Sequence, residues 1–122
     1  MHQEMLGYIN TARGKANLAP LVLNKRLSAG AFHKSKDMAV SGYFDHNSPT
    51  YGSPFAMMKR RGISYFNAAE NIAMNRSVKL AHKAFMKSPG HRANILGSEY
   101  SKVGLGFYQK GPSLYITQWF TD

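Results

Sequence analysis

The sequence predicts an α+β fold in which the helices come first and the strands come last. Apolar residues recur at helical spacing through most of the chain, whereas they alternate with a period of two in residues 102–121. This order differs from the regular strand–helix alternation of a parallel α/β sheet. The chain has 122 residues, of which 43% are hydrophobic, so we expect one domain with its own core over residues 1–122.

Two amphipathic helices are predicted near the N-terminus, over residues 3–13 and 25–41, and each is followed directly by a glycine. An extended apolar connector, residues 18–23, joins them. Gly30 lies inside the second helix, where a glycine costs about 1 kcal/mol relative to alanine, so we expect another backbone segment to pack closely against it. One side of the second helix is formed by residues at helical spacing: Leu27, Ala31, Lys34 or Ser35, and Met38.

Two shorter helices are predicted after a loop that covers residues 43–52. Ser53, which precedes a proline, and Ser77 are their predicted N-caps. The apolar residues that follow Ser77 recur at helical spacing until Pro89 and Gly90 break the pattern. We therefore expect the last helix to end before these two residues.

The C-terminal part of the chain predicts a small antiparallel sheet of about three strands. Residues 102–110 and 114–121 alternate along their length and are joined by a glycine–proline turn, which is typical of a β-hairpin. A third strand is predicted over residues 69–74. Gly104 and Gly106 share one face of the hairpin, so we expect another part of the molecule to approach that face closely.

The net charge of +10, from 16 Lys and Arg against 6 Asp and Glu, predicts attraction to polyanions. Anionic wall polymers, lipid surfaces and nucleic acid are the candidate partners, and the alternative is a solvated basic surface with no specific partner. Nucleic-acid binding is the least favoured of these, because the basic residues are scattered and form no recognition motif.

The composition also excludes several classes of protein. With no cysteine, the chain has no disulfides, no thiolate catalysis and no cysteine-ligated zinc. No apolar window approaches the roughly 20 residues of a membrane-spanning helix. Residues 1–5 lack the basic start and the apolar run of a signal peptide, so the protein is either cytoplasmic or has had an export signal removed.

His46, Glu70 and His91 are the candidate site residues. Each of these histidines lies in a proline-containing segment that indicates irregular structure, from which functional side chains are often presented, whereas His33 and His82 are expected to be partly exposed helix residues. Glu70 has apolar neighbours, so its carboxylate must find partners or shift its pKa. Separations of 24 and 21 residues match no catalytic motif, so the three residues form either one site or three unrelated, hydrogen-bonded positions.

The order of short segments along residues 5–121 resembles the bacterial branch of the CAP superfamily, which is named for cysteine-rich secretory proteins, antigen 5 and pathogenesis-related proteins. Each segment alone is weak evidence, but eight in the right order are strong evidence. The segments are Ile9-Asn10-x-x-Arg13, Leu18-Ala19-Pro20-Leu21, Asp37-Met38-Ala39, Gly42-Tyr43-Phe44-Asp45-His46-Asn47-Ser48-Pro49, Ala69-Glu70-Asn71-Ile72-Ala73, Ser88-Pro89-Gly90-His91-Arg92-Ala93-Asn94-Ile95-Leu96, Val103-Gly104-Leu105-Gly106 and Tyr115-x-Thr117-Gln118-x-Phe120.

The resemblance implies an α-β-α sandwich, in which helices flank the small sheet, and a cleft that holds two histidines and two acids. Here the histidines would be His46 and His91 and the first acid Glu70, whereas Ser88 takes the place of the second acid. The incomplete set is common in the bacterial branch, and it puts in doubt any mechanism that needs two carboxylates. The residues expected to line the cleft are Asn71, Ser88, Arg92, Asn94 and Gln118.

Two interpretations of this cleft follow. In the first, His46 and His91 hold a divalent metal such as zinc, and Glu70 orients a histidine or acts as a catalytic base on bound water. In the second, Glu70 bonds an imidazole and a strand amide, and the network only holds the sandwich together.

The function that the resemblance implies is a binding domain that is secreted or held at the cell envelope. Its cleft would take a small ligand, an ion or a wall fragment, and its basic surface would contact anionic polymers or lipids. The alternative is a metal-dependent, protease-like hydrolase that uses His46, His91 and Glu70. No Ser-His-Asp arrangement is recognisable, and we expect the binding domain.

Overall fold

The computed structural model describes residues 1–122 and contains five helices and four strands. None of the helices is long and apolar enough to cross a membrane. The elements in chain order are α1 (His2–Lys15), β1 (Val22–Leu23), α2 (Lys25–Ser41), α3 (Pro54–Arg60), β2 (Ala68–Asn75), α4 (Val78–Lys87), α5 (Pro89–Ile95), β3 (Lys102–Lys110) and β4 (Ser113–Thr121). The predicted α+β class is confirmed, with its hairpin at the C-terminus.

The sheet is mixed and has the strand order β1-β3-β4-β2. Strands β2, β4 and β3 form the predicted antiparallel part. The fourth strand, β1, pairs in parallel with β3 and lies within the segment that the sequence analysis took for a connector. Its two residues are too few to show an alternating pattern, which is why the sequence did not predict it.

The sheet lies between two layers of helices. Helix α2 covers one face, where it contacts β3 and β4, and α1 and α4 cover the other face. The larger core cluster joins Met5 and Ile9 of α1 and Phe85 of α4 to the sheet, and the smaller cluster surrounds Trp119 on the α2 side. This is the α-β-α sandwich that the resemblance implied.

Two glycines of β3 allow α2 to lie directly against the sheet, as their shared face predicted. A Cβ atom on Gly104 would overlap the backbone of Leu27, and one on Gly106 would overlap the backbone of Ala31. Gly30 of α2 is also closely packed, but its neighbour is the indole of Trp119 rather than another backbone segment. The close contact between α2 and the sheet thus depends on the absence of side chains at these positions.

The segment after α4 differs from the prediction. Pro89 does not end the helical structure but begins a new helix, α5, at a position where its missing N–H costs nothing. His91 therefore lies on a helix rather than in an irregular segment. The predicted N-caps Ser53 and Ser77 do cap α3 and α4, through hydrogen bonds of 3.1 Å each to backbone amides.

Candidate functional site

Glu70 lies at the centre of the candidate site, and both of its carboxylate oxygens have hydrogen-bond partners. It is on β2, directly opposite Trp119 of β4, and its side chain is only 1% exposed. Oε1 lies 2.8 Å from Nδ1 of His46, and Oε2 accepts a 2.7 Å hydrogen bond from Nε1 of Trp119. The carboxylate therefore links the loop that carries His46 to the sheet.

The protonation state of Glu70 determines which nitrogen of His46 carries the hydrogen of their contact. Burial raises the pKa of Glu70, and the hydrogen bonds from Trp119 and His46, together with the nearby ammonium of Lys34, oppose that shift. When the carboxylate is ionised it can only accept, and the hydrogen in the contact then belongs to Nδ1 of His46. In a neutral ring of this tautomer Nε2 keeps its lone pair, on a side chain that is 53% exposed.

His91 is presented from α5. Its Nδ1 lies 2.9 Å from Oγ of Ser88, and its ring packs against Phe85 with the centroids 5.1 Å apart. Burial lowers the pKa of His91, and the charge of His46 lowers it further. The backbone of His91 is joined to β2, the strand that carries Glu70, by a hydrogen bond from Asn71 to its carbonyl.

The candidate metal donors are the imidazoles of His46 and His91. The chain has no group of three or more His, Cys, Asp or Glu side chains that could hold a metal ion. Each ring uses Nδ1 for a contact within the protein, with Glu70 or with Ser88, and leaves Nε2 free for another partner.

A chain of buried amides lies below His91. Nδ2 of Asn71 donates to the carbonyl of His91 at 3.1 Å and to Oε1 of Gln118 at 3.0 Å. Asn94 in turn donates to Oδ1 of Asn71 at 2.9 Å. Asn71 and Gln118 are fully buried, so they support the site from below and do not line its surface.

A hollow of about 450 Å³ opens beside His46 and Glu70. Of the residues predicted at the cleft, Asn94 lines this hollow, whereas Arg92 lines a separate one beside Tyr8 and His82 of the α1 and α4 helices. The residues that surround the hollow are His46, Asn47, Ser53, Pro54, Phe55, Ala68, Ala69, Glu70, Asn94 and Tyr100.

Two residues important to this geometry were not identified from the sequence. Trp119 was assigned only to a strand, because its contact with Glu70 depends on which strands are neighbours. Lys34 is fully buried, and its ammonium donates to the carbonyl of His46 at 2.8 Å. A signal for Lys34 was present, since it shares the apolar side of α2, where a charged residue must have buried partners.

Comparison with known proteins decides the family. The family described as the cysteine-rich secretory protein family, CAP, matches residues 6–121 of the chain. The chain belongs to the CAP family. The resemblance suggested by the order of its short segments is thereby confirmed.

Among similar CAP proteins, YkwD of Bacillus subtilis is 48% identical over 103 residues, which are 84% of this chain and 40% of YkwD. An extracellular protein from Bacillus anthracis that contains an SCP domain is 32% identical, with a TM-score of 0.91 over 98% of this chain and 39% of that one. The chain thus spans about two fifths of the length of these two relatives.

A more distant structure shares the fold alone. NaASP2, solved with Zn²⁺, is 13% identical, with a TM-score of 0.72 over 97% of this chain and 77% of that one.

Proposed function

We propose that this chain is an extracellular binding domain whose cleft holds a divalent metal such as zinc, or a small ligand, at His46 and His91. The observation that carries the proposal is the contact between Glu70 Oε1 and His46 Nδ1, which fixes the ring and leaves Nε2 available. Metal-binding histidines commonly make this contact with a carboxylate through their second nitrogen. The extracellular B. anthracis relative supports the location, and the zinc-containing NaASP2 structure supports the choice of metal.

The donor set fits a weakly held ion. His46 and His91 would supply one imidazole nitrogen each, a ligand type that zinc accepts readily. When bound, the ion would supply Lewis acidity and open coordination positions to water or to a ligand. Because only two protein donors are available, we expect weak affinity that falls further as acid protonates the imidazoles.

The same geometry favours binding over hydrolysis. A general base must lie within hydrogen-bond reach of the water from which it takes a proton. The Glu70 side chain is only 1% exposed and already contacts His46 and Trp119, and Ser88, which takes the place of a second acid, contacts His91. The carboxylate is therefore better placed to position His46 than to act as a base.

The positive charge of the domain would act outside the cleft. The hollow beside His46 and Glu70 is lined by no lysine or arginine. On α4, however, Lys79, Lys83 and Lys87 are exposed and follow each other at four-residue spacing. They form one stripe of charge, which supports a contact with anionic polymers of the cell envelope on this helix.

Zinc titration by calorimetry tests the cleft. We expect the unmodified domain to bind zinc weakly at neutral pH and the His46→Ala/His91→Ala variant to lose that binding. His2→Ala is the control, because it removes an imidazole that contacts the carbonyl of Leu105 instead. Equal binding by the double variant and the unmodified domain, or no binding by either, would overturn the metal site.

A further inference from the structure

Lys34 is a buried lysine without a carboxylate partner. It lies on α2, is fully buried, and makes no salt bridge. Its ammonium donates to the backbone carbonyls of Asp45 and His46, at 2.7 and 2.8 Å, and to the hydroxyl of Tyr43 at 3.2 Å. All three hydrogens of the ammonium therefore have acceptors, which is the condition for a charge to be buried at tolerable cost.

Every one of these acceptors belongs to the short segment that presents the His46 ring. The segment would otherwise have few constraints, because His46 and its neighbours Phe44, Asp45 and Asn47 are exposed. A charged donor forms stronger hydrogen bonds to carbonyl oxygens than a neutral donor does. The ammonium of Lys34 thus holds the backbone from which the imidazole extends.

A second contact from the same helix holds the two ends of the segment. Asp37, one turn after Lys34, accepts a 2.5 Å hydrogen bond from Tyr43 and a 2.7 Å hydrogen bond from Ser48. Tyr43 therefore contacts both Lys34 and Asp37. Residues 43–48 are attached to the helix at both ends by Asp37 and in the middle by Lys34.

We propose that Lys34 is the positioning residue of the site, and that its ammonium fixes the carbonyl of His46 so that the imidazole meets Glu70. This inference rests on the proposed function in so far as His46 is a ligand. The charge of the ammonium also opposes the rise that burial causes in the pKa of Glu70, although the two groups share no direct hydrogen bond. Lys34 thus holds the backbone of His46 by a hydrogen bond and favours the ionised form of Glu70 by its charge.

The variant Lys34→Met tests this role, because it keeps a long apolar side chain and removes the ammonium. We expect zinc affinity to fall about tenfold and amide hydrogen exchange in residues 43–48 to accelerate. In the metal-free protein, we expect the NMR signal of the hydrogen between His46 Nδ1 and Glu70 to broaden or vanish. Lys110→Met is the matched control, since Lys110 also donates to a carbonyl of α2, that of Ala39 at 2.9 Å, but does not contact residues 43–48.

The outcomes separate this inference from the proposed function. If the unmodified domain binds no zinc, the metal site fails, while the His46 signal and the exchange rates still test Lys34. If Lys34→Met leaves the zinc affinity, the signal and the exchange rates unchanged, the inference fails although the metal site stands. If Lys34→Met does not fold, Lys34→Gln replaces it, because its neutral amide removes the charge that bonds the carbonyls of Asp45 and His46, and an unchanged His46 signal together with unchanged exchange in residues 43–48 then overturns the inference.

Discussion

Trp119 and Glu70 are register partners on neighbouring strands, and the indole N–H donates to the buried carboxylate at 2.7 Å. The substitution Trp119→Phe keeps an aromatic ring but leaves Oε2 of Glu70 without its donor. A hydrogen bond to a charged group is worth about 1.5–3 kcal/mol, so we expect the free energy of unfolding at pH 7 to fall by about 2 kcal/mol or more.

Urea denaturation followed by circular dichroism measures this change, because Trp119 is the only tryptophan and its fluorescence is lost with it. Tyr115→Phe on the same strand is the control, since its hydroxyl makes no hydrogen bond within the protein, and it should change stability by less than about 0.5 kcal/mol. A Trp119→Phe variant as stable as this control would show that Glu70 does not need the indole.

Two glycine substitutions are expected to have opposite effects on stability, because only one of the two glycines lies in the contact between β3 and α2. Gly106→Ala places a methyl group against the backbone of Ala31 and Phe32, so we expect a loss of about 3 kcal/mol from overpacking. Gly7→Ala, in α1, has open space around the new Cβ, and we expect a gain of about 0.5–1 kcal/mol from helix propensity. Thermal unfolding of both variants checks the pair, and a neutral Gly106→Ala would contradict the close packing.

His82 predicts part of the pH dependence of stability. Burial lowers its pKa, and its Nδ1 is buried without a hydrogen-bond partner. Below the ordinary histidine pKa of about 6.5, the unfolded chain therefore binds more protons than the folded one. Stability falls as the pH decreases through this range.

We expect His82→Phe to lessen the loss of stability between pH 7 and pH 5, because it removes the titrating group and keeps a ring beside Tyr8, which stacks on His82 at 5.3 Å. Denaturation curves at several pH values give the slope. His91 and His33, whose pKa values are also lowered, should account for part of the remaining slope. A variant with the slope of the unmodified protein would exclude His82 as a contributor.

The lysine stripe on α4 predicts where anionic polymers bind. Its members rise by about 6 Å from one to the next along the helix axis. We expect the triple variant Lys79→Gln/Lys83→Gln/Lys87→Gln to elute from purified cell walls at lower salt than the unmodified domain, because salt screens such contacts over about 10 Å at 0.1 M.

The control for the stripe is the triple variant Lys15→Gln/Lys25→Gln/Lys59→Gln, which loses the same charge from three exposed, scattered positions. If both triple variants elute at the same salt concentration, net charge rather than the stripe determines retention. If the unmodified domain is retained equally at low and high salt, the electrostatic contact itself is excluded.

The sequence predicted the regular elements well where they are long. Helix α2 begins and ends at the predicted residues, 25 and 41, and the glycine that follows it marks its end. Short elements gave weaker signals. Strand β1 has only two residues, and Pro89, which was expected to break the helical structure, is instead the first residue of α5. Proline at a helix start and proline at a helix end look alike in sequence when two helices are adjacent.

The contacts of the site could be predicted only in part. The spacing of 24 residues between His46 and Glu70 carries no information about their contact. The family resemblance predicted that His46 and Glu70 share a cleft. The roles of Trp119 and Lys34, however, depend on strand register and on the loop that lies over α2. Such long-range contacts follow from tertiary packing and not from local pattern.

The lack of side chains at Gly104 and Gly106 has a consequence for the evolution and engineering of this domain. Any larger residue there would move α2 outward, and with it Lys34 and Asp37, which hold the backbone around His46. The distance between α2 and the sheet thus determines where the His46 imidazole lies relative to Glu70 on β2. Variants selected for an altered cleft should therefore change residues 43–48 and keep both glycines. The glycines preserve the distance between α2 and the sheet, on which the position of His46 depends.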